Sequence, residues 1–138
     1  MQIFVTKEFY GVRLSEAKPD WLFVFGDNTK RYGKGGQAQI RDTENSIGVA
    51  TKFSPSTFDD AYFSDNHYDI CCHIIETDLK DLIKNMENYN VVIFPYAGLG
   101  TGLSELPTRA PKVYKYLCDR LEQLFGISTR PDGTLFKD

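Results

Sequence analysis

The residues of this chain that could do chemistry gather in two glycine-rich windows. The first runs Gly26-Asp27-Asn28 and, a few residues on, Gly33-Lys34-Gly35-Gly36-Gln37. The second runs Tyr96-Ala97-Gly98-Leu99-Gly100-Thr101-Gly102, with Glu105 just beyond. Eleven glycines in 138 residues is an ordinary total, yet seven of them fall in these windows, so position rather than number carries the signal. Glycine lets backbone N–H groups approach an anion closely, and a helix starting nearby adds partial positive charge. Two such loops side by side suit a diphosphate. Neither matches a known single phosphate loop. There is no G-x-x-x-x-G-K-[ST], and Gly98-x-Gly100-x-Gly102 is not the dinucleotide-binding G-x-G-x-x-G.

The elements that must position these windows are legible in outline. Trp21-Leu22-Phe23-Val24-Phe25 and Val91-Val92-Ile93-Phe94-Pro95 are continuous apolar runs, the pattern of strands buried on both faces. Each ends where a glycine window begins, and each window precedes a helix. Further strands are expected at Ile3–Val5 and Ile47–Ala50, and Val12–Leu14 reads as a strand or a loop. Gln37–Arg41 suits a short helix. From about Asp69 to Asn88 the residues Cys71, Ile75, Leu79, Leu82, Ile83 and Met86 recur at helical spacing. Thr108 is expected to cap a last helix with Pro111 in its first turn, a stripe of Val113, Leu117, Leu121 and Leu124, and Gly126 as its left-handed stop. Arg130-Pro131-Asp132-Gly133 reads as a turn leading to an edge strand at 134–136. The alternation of strands and helices predicts a single α/β domain over residues 1–138, with a mixed central sheet flanked by helices.

Composition excludes more than it identifies. Charged residues are 25% and hydrophobics 41%, a globular rather than a disordered balance. A formal net charge of −3 argues against sequence-independent nucleic-acid affinity. No apolar run has the length of a membrane span, and Met1–Val5 does not start a signal peptide, so a cytoplasmic location is expected. Three cysteines, two of them adjacent, form neither a disulfide framework nor a zinc spacing; no metal and no cofactor are expected. Cys71 and Cys118 read as core residues, and His73 as a surface or half-buried one.

Taken together, the order of motifs resembles a macrodomain. The strand, Gly26-Asp27-Asn28 and Gly33-Lys34-Gly35-Gly36-Gln37-Ala38 are similar to that family's first ligand loop, and Val91 through Gly102, with its Phe94-Pro95 ending, to its second. The resemblance covers roughly residues 20–125. It implies a macro-like fold that binds ADP-ribose or a related NAD-derived nucleotide, free or carried on an ADP-ribosylated macromolecule, and hydrolyses an ADP-ribosyl linkage. On that resemblance the ligand contacts are Gly26, Asn28, Gly33, Gly35, Gly36, Gln37 and Lys52 on the first side, and Tyr96, Gly98, Gly100, Thr101 and Gly102 on the second. Tyr96 or Phe53 would supply a stacking ring.

Cleavage at an anomeric carbon needs activated water or a nucleophile, stabilisation of a developing positive sugar, and a proton for the leaving group. Asp27 either orients water or ends its strand in an Asx turn. Asn28 either holds ribose hydroxyls or serves the same turn. Lys34 is a nucleophile, a phosphate counter-charge or a solvated loop residue. Glu105 is the acid of the second window, or a carboxylate favouring a helix start. Asp27, Lys34 and Glu105 are therefore the catalytic candidates, with Arg31 and Lys52 as further ligand contacts. Two other functions fit the same loops: a non-catalytic sensor or sequestering module for a nucleotide signal, and a nucleotide N-glycosidase of the lysine-decarboxylase-like type. The second is suggested by Gly98-Leu99-Gly100-Thr101 followed by Glu105.

Overall fold

A computed structural model describes residues 1–137. Four strands, β1 (Gln2–Thr6), β2 (Trp21–Asn28), β3 (Ser46–Lys52) and β4 (Val91–Pro95), form one sheet in the order β1-β4-β2-β3. All three pairings are parallel, so the central sheet is parallel rather than mixed. Among the described residues antiparallel pairing occurs in an isolated Lys52–Tyr62 bridge and in a separate hairpin, β5 (Ile127–Thr129) and β6 (Leu135–Lys137), whose short turn permits nothing else.

Side-chain alternation assigns the two faces. Leu22, Val24, Val92 and Phe94 share one core with α2 (Tyr68–Met86) and α4 (Pro111–Phe125). Phe23, Phe25, Val91 and Ile93 share a second, smaller core with Tyr10, Ala38 and Ile40, and with Leu14 of α1 (Val12–Ala17). Steps from β1 to β2 to β3 run one way across the sheet, and the step from β3 to β4 runs back. Right-handed crossovers then require the connecting helix to change face, as it does. Neighbouring β2 and β4 thus lead into connections on opposite faces. Their carboxyl-end loops diverge there and open a crevice at the switch point.

Several local readings change. Val12–Leu14 begins α1. One turn-forming stretch with a single apolar anchor, Leu14, gives too little periodicity to separate helix from strand. Asn45 fixes its far end, the buried Nδ2 donating to the carbonyls of Ser15, Lys18 and Trp21 at 2.8–2.9 Å. Thr108 lies inside a four-residue helix, α3 (Leu106–Arg109), and caps nothing. Pro111 forces Ala110 out of helical geometry (φ −146°, ψ 67°), which splits α3 from α4. The N-terminus of α4 is capped from elsewhere: the Asp65 carboxylate accepts the N–H groups of Lys112 and Val113 at 3.1–3.2 Å. Gly126 does end α4 in the left-handed region (φ 69°). In α2 the buried stripe is Cys71, Cys72, Ile75, Asp78, Leu79 and Leu82; Ile83 is exposed. Among the described residues no helix is long and apolar enough to cross a membrane.

Candidate functional site

The two glycine windows face each other at the switch point. A Cβ on Gly26 would lie 3.5 Å from the Gly100 amide nitrogen. Between the windows lies a two-lobed cleft. The smaller lobe, about 360 Å³, has Asp27, Asn28, Arg41, Lys52, Tyr62 and Glu105 in its wall together with Gly33. The larger, about 580 Å³, is bounded by Phe9, Gly36, Gln37, Pro95, Gly98, Gly100, Thr101 and Asp132. Gly26, Gly35, Gly102, Leu103 and Ser104 belong to both lobes. Leu103 reaches across to the first window, so close that a Cβ on Gly35 would lie 2.9 Å from its Cδ1.

Left-handed backbone shapes the second window. Gly98 (φ 94°) and Gly100 (φ 78°) turn successive peptides. The backbone N–H groups of residues 100–104 donate to no acceptor among the described residues. Thr101 uses its hydroxyl on the Ala97 carbonyl, and Ser104 Oγ pairs with Thr51 Oγ1 at 2.7 Å. Glu105 itself holds a left-handed φ of 49°, a conformation that costs a non-glycine residue on the order of 1–2 kcal/mol. Its Oε1 accepts from Arg109 Nε at 3.2 Å.

Asp27 is the most constrained polar residue of the site. Oδ1 accepts from Arg41 Nη2 at 2.6 Å and from the Asn28 N–H at 2.7 Å; Oδ2 accepts from Arg31 Nη1 at 3.3 Å. Arg31, at a left-handed φ of 59°, continues to Asp78 of α2, its Nη2 donating to both carboxylate oxygens at 2.7 and 2.9 Å. Asp78 also accepts the Ala50 N–H at 2.7 Å. Arg41 Nε donates to the Gly33 carbonyl at 2.9 Å and Nη2 to that of Tyr32 at 3.3 Å. One guanidinium thus ties both ends of the first window. Asn28 makes an Asx turn, its Oδ1 accepting the Lys30 N–H at 3.0 Å, while Nδ2 donates to the Tyr32 carbonyl at 2.9 Å.

Lys52 and Glu105 share the wall of the smaller lobe. Lys52 is buried in the lobe wall. Its Nζ donates to the Ser56 carbonyl at 2.8 Å and lies 4.2 Å from the Tyr62 ring centroid. Burial lowers its pKa, opposed by Glu105 and assisted by the Arg109 charge. Arg109 stacks on the same Tyr62 ring, its Cζ 3.6 Å from the centroid.

Of the residues expected from sequence, Arg31, Lys34 and Tyr96 stand outside both lobes. The Lys34 side chain is 60% exposed and pairs with Asp42 at 2.5 Å. Tyr96 is pinned through its backbone to Thr6 and Leu135, and its ring lies in a separate groove. Phe53 packs edge-on against Phe63 at 4.7 Å in the core. The residues that sequence reasoning missed are Arg41, Tyr62, Ser104, Phe9, Leu103 and Asp78. Only Asp78 carried a signal: a carboxylate on the apolar stripe of α2 demands a buried partner.

The fold and cleft define a doubly wound parallel α/β protein with a crevice at its switch point. The chain belongs to a family of unknown function (DUF7831), whose model matches residues 5–120. No curated protein and no solved structure matches it.

Proposed function

We propose that the cleft binds ADP-ribose or a related NAD-derived nucleotide. The observation that carries this reading is the run of backbone N–H groups at 100–104 without a partner among the described residues; residues 102–104 lie on the strip common to both lobes. Unpaired amides in a concave glycine turn are an anion site in waiting. A diphosphate on that strip would send its base into the larger lobe beside exposed Phe9 and its distal sugar into the smaller lobe. The sugar would there meet Asn28, Lys52 and Glu105.

Hydrolysis of an ADP-ribosyl linkage is the catalytic extension of this reading. Lys52 and Glu105 are its reacting groups, since an amine of lowered pKa and a carboxylate in the wall of one lobe are the combination active sites use. Asp27 then positions the loop. A binding module without turnover is the second reading, favoured by the engagement of both Asp27 oxygens with arginines.

Calorimetry with ADP-ribose, NAD and cyclic ADP-ribose isomers tests the proposal, and failure to bind any of them overturns it. Incubation with ADP-ribosylated protein and nucleic acid separates its two forms. Turnover that persists in Lys34→Ala and disappears in Lys52→Gln and Glu105→Gln marks a hydrolase, and binding without turnover marks a sensor.

A further inference from the structure

A second concavity, of about 500 Å³, lies beside the free edge of β1, against the β5–β6 hairpin. It is separate from the cleft and shares no lining residue with it. Three cations line it, Lys7, Arg130 and Lys137, and no carboxylate does so among the described residues. That is a local exception on a chain of net charge −3. Three aromatic side chains, Phe4, Tyr96 and Phe136, line it as well. Phe4 is 48% exposed, with no packing role to explain so apolar a residue on that strand. Arg130 Cζ is 4.5 Å from the Phe136 centroid and 5.8 Å from that of Tyr96, and Lys7 Nζ is 5.5 Å from the Tyr96 centroid.

We infer that this groove binds single-stranded nucleic acid. Cations tracking a groove, interleaved with rings, are the two components of such a site: the charges follow phosphates and the rings receive base faces. An acidic peptide would use the charges and leave the rings idle. A bilayer would need a convex apolar surface, whereas this one is concave. The inference does not depend on the reading of the cleft.

Fluorescence anisotropy with a labelled oligothymidylate tests it. Three phosphate contacts predict a log K against log salt slope of about −2. Lys7→Gln should reduce that slope by about 0.7, since each neutralised phosphate on a single strand contributes that amount. Phe4→Thr, which suits an exposed strand position, should leave the slope unchanged and weaken binding about fivefold or more. Unchanged thermal melts of both variants establish that they fold. No binding at about 50 mM salt overturns the inference. So does binding to duplex DNA or polyglutamate as tight as to the single strand, or preference for anionic vesicles. Loss of salt dependence in Lys7→Gln with no effect of Phe4→Thr also overturns it, because charge alone would then be the determinant.

Discussion

Gly48 of β3 lies directly under the Asp27 side chain of β2: a Cβ at position 48 would sit 2.7 Å from Asp27 Cβ and 2.8 Å from its Cγ. The glycine is there to admit a buried carboxylate. Gly48→Ala must therefore displace Asp27 from Arg31 and Arg41, at a cost of about 1–3 kcal/mol typical of overpacking. Urea denaturation measures it, and an unchanged midpoint would show that Asp27 is not fixed in this way.

Asp27 and Lys34 make opposite predictions. The Asp27 side chain is 3% exposed, and Asp27→Asn takes the carboxylate away from Arg41, while Arg31 keeps its pair with Asp78. A loss of about 3 kcal/mol or more is expected on breaking such a pair. Lys34→Ala removes only a solvated ion pair and should leave the unfolding curve in place. The same denaturation series decides both.

Gly35 separates binding from stability. Its φ is an ordinary −73°, so alanine introduces no backbone strain. The new Cβ meets only the exposed end of Leu103, which can move aside into the cleft. On the proposed function, Gly35→Ala should keep the melting temperature and weaken ADP-ribose binding by about tenfold or more, about 1.4 kcal/mol. Calorimetry beside a thermal melt checks the pair of outcomes.

Glu76 gives the fold a defined acid limit. Arg120 donates to both its oxygens at 2.8 Å and Tyr116 to one at 2.7 Å, joining α2 to α4. The Arg120 hydrogen bonds hold the carboxyl down from the ordinary 4.5 to about 2, against the opposing effect of burial. A folded-state pKa below the unfolded one means stability that is complete above about 4.5 and lost as pH falls towards about 2. Glu76→Gln should cost about 1.5–3 kcal/mol at neutral pH, the worth of hydrogen bonds to a charged group. Its stability should also fall less steeply in acid than the parent's, the two curves converging near pH 2. Parallel curves would remove Glu76 as the cause.

Much of the scaffold was readable from local pattern. The β2 and β4 runs are apolar on both faces because helices cover both, and Gly126 stops α4 because only glycine sits easily at its φ. The glycine windows marked the cleft for the same reason. The polar interior was not readable. Arg41 meets Asp27 from 14 residues away and Arg31 meets Asp78 from 47, and no local periodicity encodes such partners. The outward turn of Lys34 depends on backbone angles that a glycine merely permits. Thr108 looked like a cap because the capping group of α4 comes from Asp65, 48 residues before Val113.

The Arg31–Asp78 pair has a thermodynamic consequence. The first window is fastened to the middle of the longest helix, so it cannot swing open as a flap without stranding a buried carboxylate. Amide hydrogens of residues 28–31 should then exchange in step with those of α2, rather than at the rate of a surface loop. On the proposed function, a ligand entering the cleft would find this wall already rigid. Little ordering entropy is left to oppose association on that side, and adjustment falls to the Leu103 side of the crevice.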